Sequence, residues 1–347
     1  MSSTKTRIAV ICEVINRPPV EGIRKFSQQI SYEINSNPEY ESYQIGLYTR
    51  EGERIKLLRK ILLIHEMRKK IKSISPQAII YIPSSNKIHI NIIKFCYLTR
   101  GYRMRALILL LPQYGYWLPA TFLLREVRLY TQNLNLIPNK IKNRLRFRQL
   151  TSGVNLDKFI PVVDSEKERL RQKYNIDSKS KVILSIGHIT SGRGLNLLIS
   201  VAQKMDALFI FVSSNLSTND EELENELKKH GIIVMKEPIT NIEEIYQCAD
   251  CFLFTVQNND SAIGMPLSIL EALSAGLPVV TTRFGMLPDI FGQSIDDSEI
   301  YFIDNAYDAV GILTKAITKK NKKNRRIAQK FSWRAVTESI LGDFFDR

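Results

Sequence analysis

Cysteine is scarce in this chain, with four in 347 residues. So few exclude a disulfide-stapled scaffold and suit a reducing compartment. Long hydrophobic runs are missing as well: no stretch of about 20 uninterrupted apolar residues reads as a membrane span. The opening residues, Met1 to Val14, hold no apolar run long enough for a signal peptide, so a cytoplasmic protein is the expectation. Only four histidines occur, His65, His89, His188 and His230, without metal-ligand spacing, and there is no Asp-x-Asp pair. No metal ligand is therefore singled out. Internal repeats are absent, and the only biased tract is the basic run Lys319–Arg326.

Acidic residues are scarce in one half only. Residues 1–150 carry 26 Lys and Arg against 9 Asp and Glu, while residues 151–347 carry 23 against 26, so +17 and −3 make up the net +14. Such asymmetry points to an anionic partner or to a solvated basic surface. No nucleic-acid module or aromatic–basic stacking pattern occurs, so nucleic acid is not expected. Residues 56–72 combine a broad aliphatic face with a cationic one at helical spacing. They fit either an anionic membrane surface or a helix packed on its own sheet with solvated lysines. The run Ala106–Leu124 has two prolines and a glycine, which suits a strand and an apolar loop near a lipid tail.

The order of elements is that of an open parallel sheet, twice over. Buried-strand runs at Arg7–Ile11, Tyr43–Leu47, Ala78–Ile82, Ala106–Leu111 and Val127–Thr131 alternate with helical patterns at Ile23–Ile34, Ile55–Ser73 and Ile88–Thr99. A linker-like stretch between Pro138 and Pro161 follows. The alternation then restarts with strands at Lys181–Ile186, Leu208–Val212, Ile232–Met235, Cys251–Thr255 and Pro278–Thr281, and a last helical stretch runs from Asn321 to about Phe345. The class is α/β, with ligands expected outside the carboxyl ends of the strands.

The densest chemical signal is Ile263–Thr281. A Gly264-Met265-Pro266 turn feeds a helix from Leu267, Gly276 closes it, and a buried strand follows. The helix start suits phosphate and a carboxylate such as Glu271 suits the two hydroxyls of a ribose. This segment resembles the nucleotide-sugar signature of the retaining glycosyltransferases of family 4, E-G-x-P-x-x-x-x-E-A-x-x-x-G-x-P-V-V, from Gly264 through Val280. Ser185–Leu195 resembles the family's V-G-R-L-x-x-x-K-G loop, with Arg193 in place of lysine and His188 in place of arginine. Ser152–Pro161, Ala249-Asp250 and Phe331-Ser332-Trp333 are similar to further family segments. The likeness covers roughly residues 150–340. The first 130 fit only through the opening strand, the Gly22 loop and the alternating pattern.

The resemblance implies the GT-B architecture, two doubly wound Rossmann-like domains facing a cleft. Residues 1–150 would be a basic acceptor-binding domain, 151–330 the donor-binding domain, and 331–347 a helix returning toward the first. It implies a nucleotide-sugar donor, such as a UDP- or GDP-sugar, which is a substrate, so no resident cofactor is expected. Arg193 and His188 would hold the diphosphate during transfer, and Glu271 the ribose. Gly264, Met265, Pro266 and Leu267, with Gly187, would bring backbone to sugar and phosphate. Pro238 and Ile239 would meet the base, and Gly22 would complete the site from the other domain. A retaining hexosyltransferase acting on a lipid-linked or cell-surface glycan, peripheral at the inner membrane face, is the implied function.

Two departures stand against this. Ile263 occupies the position of the family's first glutamate, eight before Glu271, and Asp260 would serve there only if the loop bends. The loop Pro112–Gly115 lacks the family's histidine. These favour an alternative, a catalytically inactive member that serves as partner or scaffold of an active enzyme. Cys248 and Cys251 have the spacing of a redox or zinc pair but straddle a helix end and a buried strand, which reads as packing.

Overall fold

Unbroken β-branched runs form the centres of two parallel sheets. The computed structural model describes residues 5–13, 22–46, 57–116, 119–213, 220–236, 239–292, 299–318 and 323–345. The chain divides into one unit of Met1–Thr151 with Trp333–Arg347 and a second of Ser152–Ser332.

The first unit runs β1 (Thr6–Cys12), α1 (Gly22–Ser36), β2 (Tyr40–Ile45), α2 (Leu57–Ile74), β3 (Ala78–Ile82), α3 (Ile88–Thr99), β4 (Met104–Leu109), β5 (Arg128–Thr131), α4 (Asn139–Lys142) and β6 (Phe147–Gln149). Its sheet has the order β2-β1-β3-β4-β5-β6 with every pair parallel. Strands β1 and β3 are interior, and all of Ile8–Cys12 and Ala78–Ile82 are fully buried, as continuous apolar runs in a sheet covered on both faces require. Edge strand β2 (YESYQI) is mostly half-buried and correspondingly polar. The chain passes from β1 outward to β2 and then across to β3, so the order reverses between β1 and β3.

The second unit runs α5 (Asp164–Lys173), β7 (Val182–Gly187), α6 (Leu195–Ala202), β8 (Leu208–Ser213), α7 (Glu221–Lys229), β9 (Ile233–Met235), α8 (Ile242–Cys248), β10 (Cys251–Phe254), α9 (Leu267–Ser274), β11 (Val279–Thr281), α10 (Leu287–Phe291), β12 (Ile300–Phe302), α11 (Ala306–Ala316) and α12 (Lys323–Gln329). Its parallel order is β12-β11-β10-β7-β8-β9, with the reversal between β7 and β10. Alternate residues feed opposite cores: Val182, Leu184, Ile210 and Val212 on one face, Ile183, Phe209 and Phe211 on the other. Half-buried Asp250 pins the base of this sheet. It accepts from Lys167 (2.7 Å), Arg171 (2.8 Å) and the Val182 N–H (2.8 Å). Burial pushes its carboxyl up, but these donors outweigh that and hold it below its usual value.

The last helix, α13 (Trp333–Phe345), belongs to the first unit. Trp333 meets Phe26 of α1 edge-on at 5.3 Å, and Asp343 gathers Arg128, Tyr130 and Arg148 from β5 and β6.

Several elements differ from the sequence expectation. The stretch read as a linker contains α4 and β6, and β6 pairs with β5. Helix α5 escapes an apolar-periodicity search because, among its ten residues, only Leu170 and Arg171 are buried. Instead its ends carry the matching charges, Asp164 and Glu166 first, Arg171 and Lys173 last. The terminal helical stretch is two helices, broken where the Val154 N–H donates to Phe331 O (2.8 Å) and Val154 bridges Ser332. Among the described residues, no helix is long and apolar enough to cross a membrane.

Candidate active site

Strand β7 ends at Gly187, beside the end of β10 at the reversal of the second sheet. Here an open α/β sheet leaves a crevice. A small pocket opens at this point, lined among others by Ser185, Gly187, Arg193, Phe211, Leu253 and Thr255. The loop after β7 reaches it through three glycines. A Cβ on Gly187 would stand 3.2 Å from Arg193 Nη1, so the bare backbone gives the guanidinium its place. A Cβ on Gly192 would meet Ser261 Oγ at 2.1 Å. Gly194 has φ +66°, and a Cβ there would lie 1.9 Å from Thr255 O. Thr255 Oγ1 donates to Arg193 O (3.1 Å) and locks the loop to β10.

Arg193 is thereby desolvated without an ion-pair partner. No carboxylate of the described residues pairs with it, and its buried Nε has no hydrogen-bond partner. Burial alone pushes the guanidinium down to about 10, so it stays cationic at neutral pH. A buried cation without a counter-ion is costly and suits an external anion. His188 follows β7 at once and is half-buried in the same loop.

The Gly264–Leu267 turn is clamped from two sides. Ser152 Oγ donates to Met265 O (2.8 Å) and the Met286 N–H to Gly264 O (3.0 Å). Gly285, at φ +55°, permits this approach, since its Cβ would lie 2.2 Å from Gly264 O. Helix α9 then starts on Pro266, whose missing N–H costs nothing at a helix start. Glu271, 6% exposed, sits one turn in and accepts from Tyr246 Oη (2.8 Å). Burial and this carboxylate push the Tyr246 phenol well above its usual value, so it stays the donor.

Of the residues predicted from sequence, the structure thus brings Gly187, His188 and Arg193 together at the switch point. It gathers Gly264, Met265, Pro266, Leu267 and Glu271 on the α9 turn, and neither Glu271 nor that turn lines the small pocket. Ile239 is half-buried against the second-unit core, and Pro238 lies outside the described residues. Gly22 opens α1 in the first unit. Ile263 is buried at 6% exposure, and Asp260 is exposed on a single 3-10 turn, Asn259–Ser261. Tyr246 and Thr255 escaped sequence reasoning. Thr255 was findable as the residue ending a buried strand at the sheet's carboxyl edge. Tyr246 had no such signal, because its partner lies 25 residues away.

Residues 166–332 match the family model of the glycosyl transferases group 1. Sulfoquinovosyl transferase SQD2 of Arabidopsis thaliana is 27% identical over 211 residues, 57% of this chain and 39% of that protein. The chain spans about half the length, or less, of the curated relatives it matches. Among solved structures, sucrose-phosphate synthase from Thermosynechococcus elongatus superimposes with a TM-score of 0.74 at 11% identity, covering 98% of both chains. Anabaena Alr3699/HepE, solved in complex with UDP-glucose, gives 0.70 at 13% identity, covering 97% of this chain and 98% of the other. At such identities the likeness establishes fold. Residues 166–332, just under half of the chain, thus resemble the glycosyl transferases group 1, and the two parallel six-stranded sheets give the α/β fold of these GT-B structures.

Proposed function

We propose that the chain is a retaining glycosyltransferase of family 4, moving a sugar from a UDP- or GDP-sugar to a lipid-linked or cell-surface glycan. The observation that carries this reading is Arg193, a desolvated cation with no carboxylate partner at the switch point of the second sheet. As the bond to the sugar breaks, negative charge grows on the leaving diphosphate. A guanidinium already half-buried, with its Nε out of water, and fixed over Gly187 stabilises that charge with little reorganisation. His188 lends a second donor from the same loop, and the α9 start offers its N–H groups beside Met265. Glu271, oriented by Tyr246, accepts the ribose hydroxyls. Ile239 borders the base. The UDP-glucose complex of Anabaena HepE supports UDP among the donors.

The acceptor falls to the first unit. Helix α2 exposes Ile61 and Leu62 among Arg59, Lys69, Lys70 and Lys72, which supports a place at the anionic inner face of a membrane. Calorimetric titration with UDP, GDP and their sugars tests the donor reading. Binding of one nucleotide that both Arg193→Ala and Glu271→Ala lose is the expected result, and binding of none sinks it.

A second reading rests on Ile263. A buried aliphatic side chain at that position supplies no carboxylate to the sugar, and the nearest acid, Asp260, is exposed. This favours a non-catalytic partner of an active enzyme. Retained nucleotide-sugar binding with neither transfer nor donor hydrolysis is its signature.

A further inference from the structure

Helices cover both faces of the first unit's sheet, and their charges differ. Helices α2 and α3 pack with Ala9, Ile11, Ile79 and Tyr81 of the strands, whereas α1 and α13, which meet through Phe26 and Trp333, share none of this core. Together α2 and α3 carry seven Lys and Arg against the single acid Glu66, while α1 and α13 carry three against three. A basic surface that served solubility alone has no reason to favour one face.

The α2–α3 face also exposes apolar side chains, and they adjoin one another. Ile61 and Leu62 (62% exposed) lie one turn before His65 on α2 and so beside it. His65 Nδ1 meets Tyr97 Oη of α3 at 2.8 Å, and exposed Tyr97 stands one turn after Ile93 (58% exposed). Arg68, on the next turn of α2, covers the Tyr97 ring at 5.1 Å and donates to Tyr97 O. These contacts tie the two helices into one surface. Exposed Lys69 and Lys72 continue it along α2, and exposed Arg100 continues it past the end of α3.

We propose that α2 and α3 together form a docking surface for an anionic lipid bilayer. Leu62, Ile93 and Tyr97 enter the headgroup region, and Lys69, Lys72 and Arg100 meet its phosphates. A second copy of this chain would set like charge against like charge. Nucleic acid would take the cations but stacks on aromatic rings and has no use for Ile61, Leu62 and Ile93. Protein partners avoid lysine at the centre of an interface. A bilayer answers every group: its acyl region accepts the aliphatic side chains, its phosphates the cations, and a tyrosine belongs at the boundary between them. The inference rests on the membrane placement of the first unit and deepens it, because α3 enters with α2 and anionic headgroups are required.

Flotation of the full chain with vesicles tests it, using phosphatidylcholine alone and phosphatidylcholine with one third phosphatidylglycerol. Binding to the mixed vesicles only, weakening as salt is raised, is expected. Lys69→Glu with Lys72→Glu should weaken it at least about tenfold, and Leu62→Ser with Ile93→Ser by a similar factor. All four positions are exposed, so both double variants should keep the melting temperature of the unaltered protein. Ile93→Trp should still bind, and its emission should shift to the blue with mixed vesicles. Flotation that survives both double variants, or an emission that stays unshifted, overturns the two-helix surface and leaves the membrane placement standing. Equal binding to both vesicle types, no flotation with either, or tighter binding of duplex DNA or polyglutamate overturns both. Failure of the unaltered protein to bind any nucleotide strikes the donor reading instead and leaves the vesicle result standing.

Discussion

The two sheets share one topology and treat charge at their switch points in opposite ways. In the second unit, Arg193 is half-buried with its Nε fully enclosed and has no carboxylate partner among the described residues, and Gly187, Gly192 and Gly194 clear the room for it. In the first, Lys94 of α3 is also half-buried but is matched by Glu13, which follows β1, with Tyr81 and Ser84 completing the carboxylate's shell. The contrast is sharper because residues 57–105 hold eleven Lys and Arg against the single acid Glu66. In so basic a region, the lysine at the switch point is paired with a half-buried glutamate. An unpaired cation prepares a site for an anion at a cost in stability, whereas a matched pair is already neutral.

The largest effect should come from closing the space that the first arrangement needs. Gly194→Ala places a Cβ against Thr255 O at a positive φ, so the second unit should lose at least about 3 kcal/mol in urea unfolding. Tolerance of this change would mean that the loop moves freely and does not hold Arg193. Next in size is Arg193→Met. Donor-nucleotide affinity should fall about 100-fold, or about 2.7 kcal/mol. The melting temperature, in contrast, should rise by about 2 °C, because a desolvated unpaired charge is gone. A fall in melting temperature would show that Arg193 is paired in solution and would erase the contrast. Lys94→Met should do the reverse, lowering stability by leaving the Glu13 carboxylate with only two hydroxyl donors.

The paired site also predicts a pH dependence with a definite sign. Burial pushes the Glu13 carboxyl up, but Lys94, Tyr81 and Ser84 prevail and hold it below its ordinary 4.5. A carboxyl whose folded value is lowered contributes stability that is present above the unfolded value and lost as pH falls through the folded one. The urea midpoint of the unaltered protein should therefore fall more steeply below about pH 4.5 than that of Glu13→Gln. Equal slopes would mean that Glu13 is not paired.

The loop and turn of the second unit were legible in the sequence as local motifs and the cluster of the first unit was not, for a physical reason. The second unit's site is built on contiguous residues: Gly187 to Gly194 in one loop, Gly264 to Glu271 in one turn and helix. Spacing along the chain therefore carries its geometry. The strands were legible for the same reason, since interior parallel strands are unbroken apolar runs. The first unit's cluster draws Glu13, Tyr81, Ser84 and Lys94 from separate segments, and the Glu13–Lys94 contact spans 81 residues. Single polar residues scattered at such distances have no periodicity. Helix α5 hid for a related reason, because it packs through charged ends and Asp250 instead of an apolar stripe.

The smallest effect separates the proposed ribose contact from the proposed phosphate contact of the second unit. Tyr246 donates to Glu271 Oε2, and its own ring is fully buried between Phe159 and Phe252. Tyr246→Phe keeps that packing and removes one hydrogen bond to a charged group, worth about 1 kcal/mol. The carboxylate then loses orientation without losing charge, so nucleoside-diphosphate affinity should drop roughly fivefold. The loss should vanish for the 2′,3′-dideoxy nucleotide, which offers Glu271 no hydroxyl, and the Arg193→Met loss should be the same for both nucleotides. Equal losses for the two nucleotides in Tyr246→Phe would place Glu271 away from the ribose and leave Arg193 alone to define the donor site.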